Sequence, residues 1–210
     1  MSREKSELLQ ISGRFAIDGE LENIEPHGNG HINDTFLLTC RAASGEKCRY
    51  ILQRMNHEVF KDPRGLMENI VGVTAFLQKK IAENGGDPRR EALNVIPVAD
   101  GGSYRQEEDG TFWRMYRFVE NAVSYDVVER PEDFYESAVA FGHFQKLLAD
   151  YPAESLHETI PNFHNTVNRL RNFKKAVEAD VLQRAAGVSE EIRFVLDREE
   201  DCHVLCDMLA

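Results

Sequence analysis

The residues with the most chemical promise begin in one short stretch, Gly28-Asn29-Gly30-His31-Ile32-Asn33-Asp34-Thr35. Glycines at two of these positions let backbone N–H groups turn toward a ligand with no Cβ in the way. Converging N–H donors of this kind cradle an anion, typically a phosphate. Asn33 tolerates the left-handed backbone conformation, Thr35 adds a hydroxyl and His31 an imidazole. Three further groups follow in chain order. Ile51 and Gln53 lie in Tyr50-Ile51-Leu52-Gln53-Arg54, where Ile51 could roof a purine ring and Gln53 could donate to a phosphate. Glu68 lies in an amphipathic segment within reach of that strand. Arg117 and Val119 close an aromatic run, where their backbone C=O and N–H could meet an adenine edge with Tyr116 behind them.

Positioning these groups takes a sheet and a helix, and the sequence supplies both. Leu8, Leu9, Ile11 and Phe15 have helical spacing. Residues 21–25 read as a short strand, as do Thr35 to Cys40 and Arg49 to Leu52, with a hairpin turn at Ala43-Ser44-Gly45-Glu46. Period-two alternation puts Ile51 and Gln53 on one face, opposite Leu52 and Arg54. Asp62-Pro63 opens a helix with Leu66, Ile70, Val73, Leu77 and Ile81 along one side, and Asn84-Gly85-Gly86-Asp87-Pro88 stops it. Val95 to Val98 and Ser103 to Gln106 read as short strands, and Phe112 to Val119 as the strongest strand. From Pro131 onward the pattern is helical, with Phe134, Ala138, Phe141 and Leu148 on one face and two more helices near 163–183 and 189–209.

Strands followed by helices argue an α+β fold: a kinase-like small lobe, made of an antiparallel sheet and one long helix, over residues 1–120. The first helices of a helical large lobe would then occupy residues 121–210.

Composition narrows the partners. Lys and Arg number 25 against 36 Asp and Glu, a net charge of −11. That disfavours nucleic acid and anionic membrane surfaces, which call for a basic face. Hydrophobic residues make up 42% of the chain, enough for a packed core. No apolar run approaches the roughly 20 residues of a membrane span, and Met1-Ser2-Arg3-Glu4-Lys5 does not read as a signal peptide. A cytoplasmic protein with Cys40, Cys48, Cys202 and Cys206 as reduced thiols is expected. Cys202 and Cys206 read as one turn of a buried helix face rather than as metal ligands.

A glycine turn, a strand with a phosphate-facing side chain, a helix glutamate and a strand running into a hinge follow one another here. This is the order of parts in two-lobed nucleotide kinases. The usual lysine is replaced by the neutral Gln53, and the charged Arg54 points to the other face. The chain also resembles the aminoglycoside phosphotransferase/choline kinase superfamily, and within it bacterial N-acetylhexosamine 1-kinases. The resembling stretches include Gly30-His31-Ile32-Asn33-Asp34-Thr35-Phe36, Tyr50-Ile51-Leu52-Gln53-Arg54-Met55-Asn56 and Leu66-Met67-Glu68-Asn69-Ile70. They continue through Trp113-Arg114-Met115-Tyr116-Arg117-Phe118-Val119-Glu120, Val123-Ser124-Tyr125, Phe141-Gly142-His143-Phe144-Gln145 and Glu158-Thr159-Ile160-Pro161-Asn162-Phe163-His164.

The resemblance implies ATP- and Mg2+-dependent phosphorylation of the anomeric hydroxyl of N-acetylglucosamine or N-acetylgalactosamine. His31, Asn33 and Thr35 match the motif bordering the phosphate and sugar sites, with His31 on the sugar. Glutamine in place of lysine is a feature of the same subfamily. The later family motif, His-x-Asp-x-x-x-x-Asn with its base and metal ligands, is not found after His143, His157, His164 or His203. The expectation is therefore an amino-terminal portion, inactive by itself, with Phe134, Phe141, Phe163 and Leu170 partly exposed. The alternatives are a non-catalytic nucleotide- or sugar-binding module, or a kinase for choline, homoserine or an aminoglycoside.

Overall fold

The computed structural model describes residues 3–128 and 130–209. They form two compact units, one running through Thr159 and the other beginning at Ile160. The sequence-based lobe boundary after residue 120 falls inside the first of these.

The first unit is built on a five-stranded antiparallel sheet: β1 (Glu20–Pro26), β2 (Asp34–Arg41), β3 (Lys47–Met55), β4 (Arg105–Gln106) and β5 (Phe112–Arg117), in the order β1-β2-β3-β5-β4. The β2–β3 hairpin turns where the sequence placed it. Gly45 takes φ +83° and the Ala42 N–H donates to the Glu46 carbonyl at 2.9 Å. One sheet face is apolar, with Ile24, Leu38, Cys40, Tyr50, Leu52, Trp113 and Met115 packed against Leu8 and Ile11 of α1 (Arg3–Ser12) and against Phe15. Leu38, Tyr50, Leu52 and Met115 have no measurable exposure. Burying side chains of this size stabilises by about 1.5–3 kcal/mol each, so this face anchors the unit.

Two expected strands shrink, for stated reasons. Val95 to Val98 reduces to isolated bridges, Val95 to Tyr116 and Phe15 to Val98, because Pro97 has no N–H for a ladder. Ser103 to Gln106 keeps only its last two residues, following Gly101 and Gly102, both at positive φ.

The long helix forms as expected. α2 (Pro63–Glu83) is capped by Asp62, whose carboxylate accepts from the Gly65 N–H at 2.9 Å, with Pro63 in the first turn. It ends at Asn84, after which Gly85 adopts φ +78° and the Gly86 N–H donates to the Ile81 carbonyl. α3 (Pro88–Glu91) follows, then α4 (Pro131–Leu147) and a 3-10 turn at Ala153–Ser155. Leu147 and Leu148 pack on a cluster of Leu77, Ile81 and Ala92. A close approach holds the next segment on α2. A Cβ at Gly72 would stand 2.6 Å from the Tyr151 hydroxyl oxygen, while the Tyr151 ring meets Phe76 edge-on at 5.2 Å. Phe134 and Phe141 are 69% and 68% exposed, as anticipated.

The second unit is helical: α5 (Thr166–Ala179), α6 (Ser189–Leu196) and α7 (Val204–Met208), with 3-10 turns at Ala185–Val188 and Glu200–His203. Asn165 caps α5 by accepting from the Asn168 N–H at 2.8 Å, and Asp180 ends it in the left-handed conformation. The continuous helix expected over 189–209 is broken instead, since Asp197-Arg198-Glu199-Glu200-Asp201 offers no apolar face to bury. Cys202 and Cys206 therefore sit in different segments, both half-buried, rather than on one buried stripe. Phe163 is exposed as expected, but Leu170 is buried, at 6% exposure. Among the described residues no helix is long and apolar enough to cross a membrane.

Candidate functional site

Register and alternation define the second sheet face, away from α1. Thr35 pairs with Gln53 across β2 and β3, and Gln53 pairs with Arg114 across β3 and β5. Side chains at these positions share one face with Ile51 and Tyr116. At its centre the Gln53 amide makes two hydrogen bonds. Its Nε2 donates to Thr35 Oγ1 at 3.0 Å, and its Oε1 accepts from Arg114 Nε at 3.1 Å. The Arg114 guanidinium also stands 5.2 Å from the centre of the Tyr116 ring. Both side chains are deeply placed, with Arg114 at 9% and Tyr116 at 6% exposure. Burial pushes the Tyr116 hydroxyl up to about 12 and draws the Arg114 guanidinium below its usual value. Arg114 Nη1 is buried with no hydrogen-bond partner.

Arg54 settles its own role. Its guanidinium turns to the α1 side of the strand and holds Asp34, with Nε 2.7 Å from the carboxylate. It stands on the face opposite Gln53.

The glycine turn joins β1 to β2 and is closed by the His27 N–H donating to the Thr35 carbonyl at 2.9 Å. Gly28 takes φ +77°, and a Cβ at Gly28 or Gly30 would meet nothing within 4 Å. Asn33 does not use the left-handed conformation open to it. Its side-chain carbonyl accepts from the Asn56 N–H at 3.0 Å, fastening the turn to the segment after β3. His31 is exposed beside a hollow of about 340 Å³, which it shares with Asp34, Arg54 and His57. A second hollow of about 360 Å³ touches Gly28, Gly30, Asn33 and Thr35, but its other walls include Phe36 and Trp113 of the α1 face. It does not reach Gln53 or Arg114, so the turn has a hollow on the flank opposite the Gln53 face.

At the exit of β5, the Arg117 N–H is committed to the Asn94 carbonyl at 2.9 Å. Only its C=O remains for the adenine edge expected there. Arg117 also reaches Asp18 at 3.4 Å. Val119 is half-buried, and its backbone N–H and C=O find no partner among the described residues. The exit is braced by Arg49, whose guanidinium lies 4.2 Å from the Phe118 ring centre and pairs with Glu120. The Phe118 ring meets His27 edge-on at 5.8 Å. That contact brings the glycine turn and the β5 exit together across the Gln53 face.

Glu68 is engaged elsewhere. Its carboxylate accepts from Arg64 Nε at 2.8 Å and lies 2.7 Å from His157 Nε2. The hydrogen bond from Arg64 holds its pKa below the usual carboxylate value. The partner of Gln53 is Arg114, not Glu68. Sequence reasoning passed over Arg114, though pairing the two strands in register would have set it beside Gln53. Among the described residues no group of three or more His, Cys, Asp or Glu side chains could hold a metal ion.

No protein-family model matches the chain. A solved structure of amicoumacin kinase hAmiN in complex with AMP-PNP, Ca2+ and Ami is similar over 90% of this chain and 54% of that one, with a TM-score of 0.50 and 11% identity. The fold is kinase-like. At this identity the likeness is one of architecture, and the chain spans about half the length of the protein it matches. The order of the elements β3, α2 and β5 is the one expected from the sequence.

Proposed function

We propose that this chain carries the nucleotide-binding portion of a small-molecule phosphotransferase that uses ATP as donor. The supporting observation is the kinase-like sheet in which the glycine turn and the β5 exit meet through His27 and Phe118. In this reading Gly28, Gly30, Thr35 and Gln53 face the phosphates, and Asn33 fixes the turn that presents them. Ile51 and Tyr116 flank the adenine, and the Arg117 C=O and Val119 N–H bind its edge. Glu68, tied to Arg64 and His157, steadies α2. The AMP-PNP and Ca2+ held by the structural neighbour are in keeping with a nucleotide and a divalent ion, here Mg2+.

The acceptor is proposed to be the anomeric hydroxyl of N-acetylglucosamine or N-acetylgalactosamine, bound in part by His31. This rests on the motif stretches named above. The base that deprotonates the acceptor and the Mg2+ ligands would come from outside these 210 residues, so the chain by itself would not turn over sugar. Its place would be the cytoplasm, where ATP is at hand. A non-catalytic nucleotide-binding module is the second reading, favoured by the lack of a His-x-Asp-x-x-x-x-Asn motif.

Calorimetric titration with AMP-PNP tests the donor half, and saturable binding is expected. No binding at millimolar AMP-PNP would sink the proposal. ATP-dependent sugar 1-phosphate formation by these residues alone would overturn the inactivity.

A further inference from the structure

We infer that Arg114 is the phosphate-pairing cation of this site, taking on β5 the part that a lysine on β3 plays elsewhere. The inference deepens the proposed nucleotide reading and rests on it.

Three observations carry it. First, Arg114 is 9% exposed, its Nη1 is buried with no partner, and no carboxylate among the described residues ion-pairs with it. An arginine stays charged even when buried. A buried guanidinium without an anion is a costly arrangement, retained where something else supplies the negative charge. Secondly, its position is set by the site's own polar groups. Gln53 Oε1 accepts from Arg114 Nε at 3.1 Å, and the Gln53 amide is held in turn by Thr35. The guanidinium is thus fixed on the sheet face to which the glycine turn and the β5 exit contribute His27 and Phe118.

Thirdly, the neutral residue at 53 is what this arrangement demands. Gln53 and Arg114 are directly paired across β3 and β5, and a lysine at 53 would set two cations side by side. Glutamine offers an acceptor instead. Arg54 cannot serve, because it is spent on Asp34 on the other face. Once the side chains over it part, the unpartnered Nη1 donates a charge-assisted hydrogen bond to a phosphate oxygen.

The test compares ATP with adenosine on the full chain, using Arg114→Met and the charge-relocating pair Gln53→Lys/Arg114→Met. Wild-type protein should bind both ligands. Arg114→Met should lose about 10- to 100-fold in ATP affinity, the range for one charged hydrogen bond, and keep its adenosine affinity. The double variant should recover most of the ATP affinity. Removing an unpaired buried charge should also raise the melting temperature of the ligand-free protein, which a purely structural arginine would not do. If Arg114→Met fails to fold, Arg114→Gln carries the same ATP-to-adenosine comparison. Unchanged ATP affinity in a folded variant, or an equal loss for adenosine, overturns the assignment of Arg114 alone. Failure of the wild type to bind either ligand overturns the nucleotide reading beneath it.

Discussion

A methyl group added at Gly30 meets no atom within 4 Å, and Gly30 does not have a positive φ. Folding therefore does not require glycine there, while a ligand lying on the backbone would. Gly30→Ala is expected to keep or slightly raise the melting temperature, by the ~0.4–1 kcal/mol of lost unfolded-state freedom. Its AMP-PNP affinity should fall about tenfold, as for one displaced backbone contact. Thermal melts beside a titration check both halves. Cysteines offer a second prediction. Cys40 has no exposure and burial pushes its thiol up to about 11, so at pH 8 only about one molecule in a thousand carries the thiolate. The Val167 N–H, which donates to the Cys206 sulfur, and the hydrogen-bonded contact with the Thr166 hydroxyl draw Cys206 the other way. Iodoacetamide on the native protein should label Cys206 early and leave Cys40 unmodified, read by peptide mass mapping. At this scale the sequence disclosed residue types but not partners. Gln53 was visible as a departure from lysine, whereas the guanidinium beside it depends on a pairing between strands 61 positions apart.

Among the elements, α2 was the easiest to read, because Asp62-Pro63 and Asn84-Gly85 punctuate it and its apolar residues recur at helical spacing. Asp62→Ala should remove the cap and cost about 1 kcal/mol, measured by urea unfolding. Gly72→Leu should cost about 1–3 kcal/mol, since Tyr151 must leave the helix surface. The segment after α4 is also pinned by Lys80 and Asp150. The hydrogen bond from Lys80 holds the Asp150 carboxyl below its usual 3.8. A lowered carboxylate pKa stabilises above the ordinary value and loses that contribution as pH falls through the folded one. Asp150→Asn should therefore melt lower than wild type at pH 7, with the gap closing as pH drops below 3.8. The 189–209 segment was misread as one helix because apolar residues near its ends suggested a periodicity that the charged stretch between them interrupts. The strand at 95–98 was misread because β-formers outweighed the single Pro97 in their midst.

For the molecule as a whole, sheet and helices carry unequal cores. The first unit buries a continuous apolar face, while the second has Leu170 as the one buried side chain among its described helix residues. Amides of β2, β3 and β5 should then exchange with deuterium orders of magnitude more slowly than those of α5 to α7. Comparable protection throughout would contradict this. The succession of strands and then helices announced the kinase-like plan, since element type follows from periodicity. The division after Thr159 falls in the non-helical segment between α4 and α5, a turn-rich stretch whose place the helical periodicity on either side does not mark.

The pairing of Gln53 with Arg114 has a bearing on how proteins of this kind are detected. Neighbouring strands hold their side chains about 5 Å apart, so a positive charge can pass from one strand to the next while hardly shifting in space. If Arg114 pairs a phosphate as proposed, a search that insists on lysine at a fixed place in the alphabet of the chain would discard a protein whose positive charge sits one strand away. Screening by where charge falls in three dimensions would retain it.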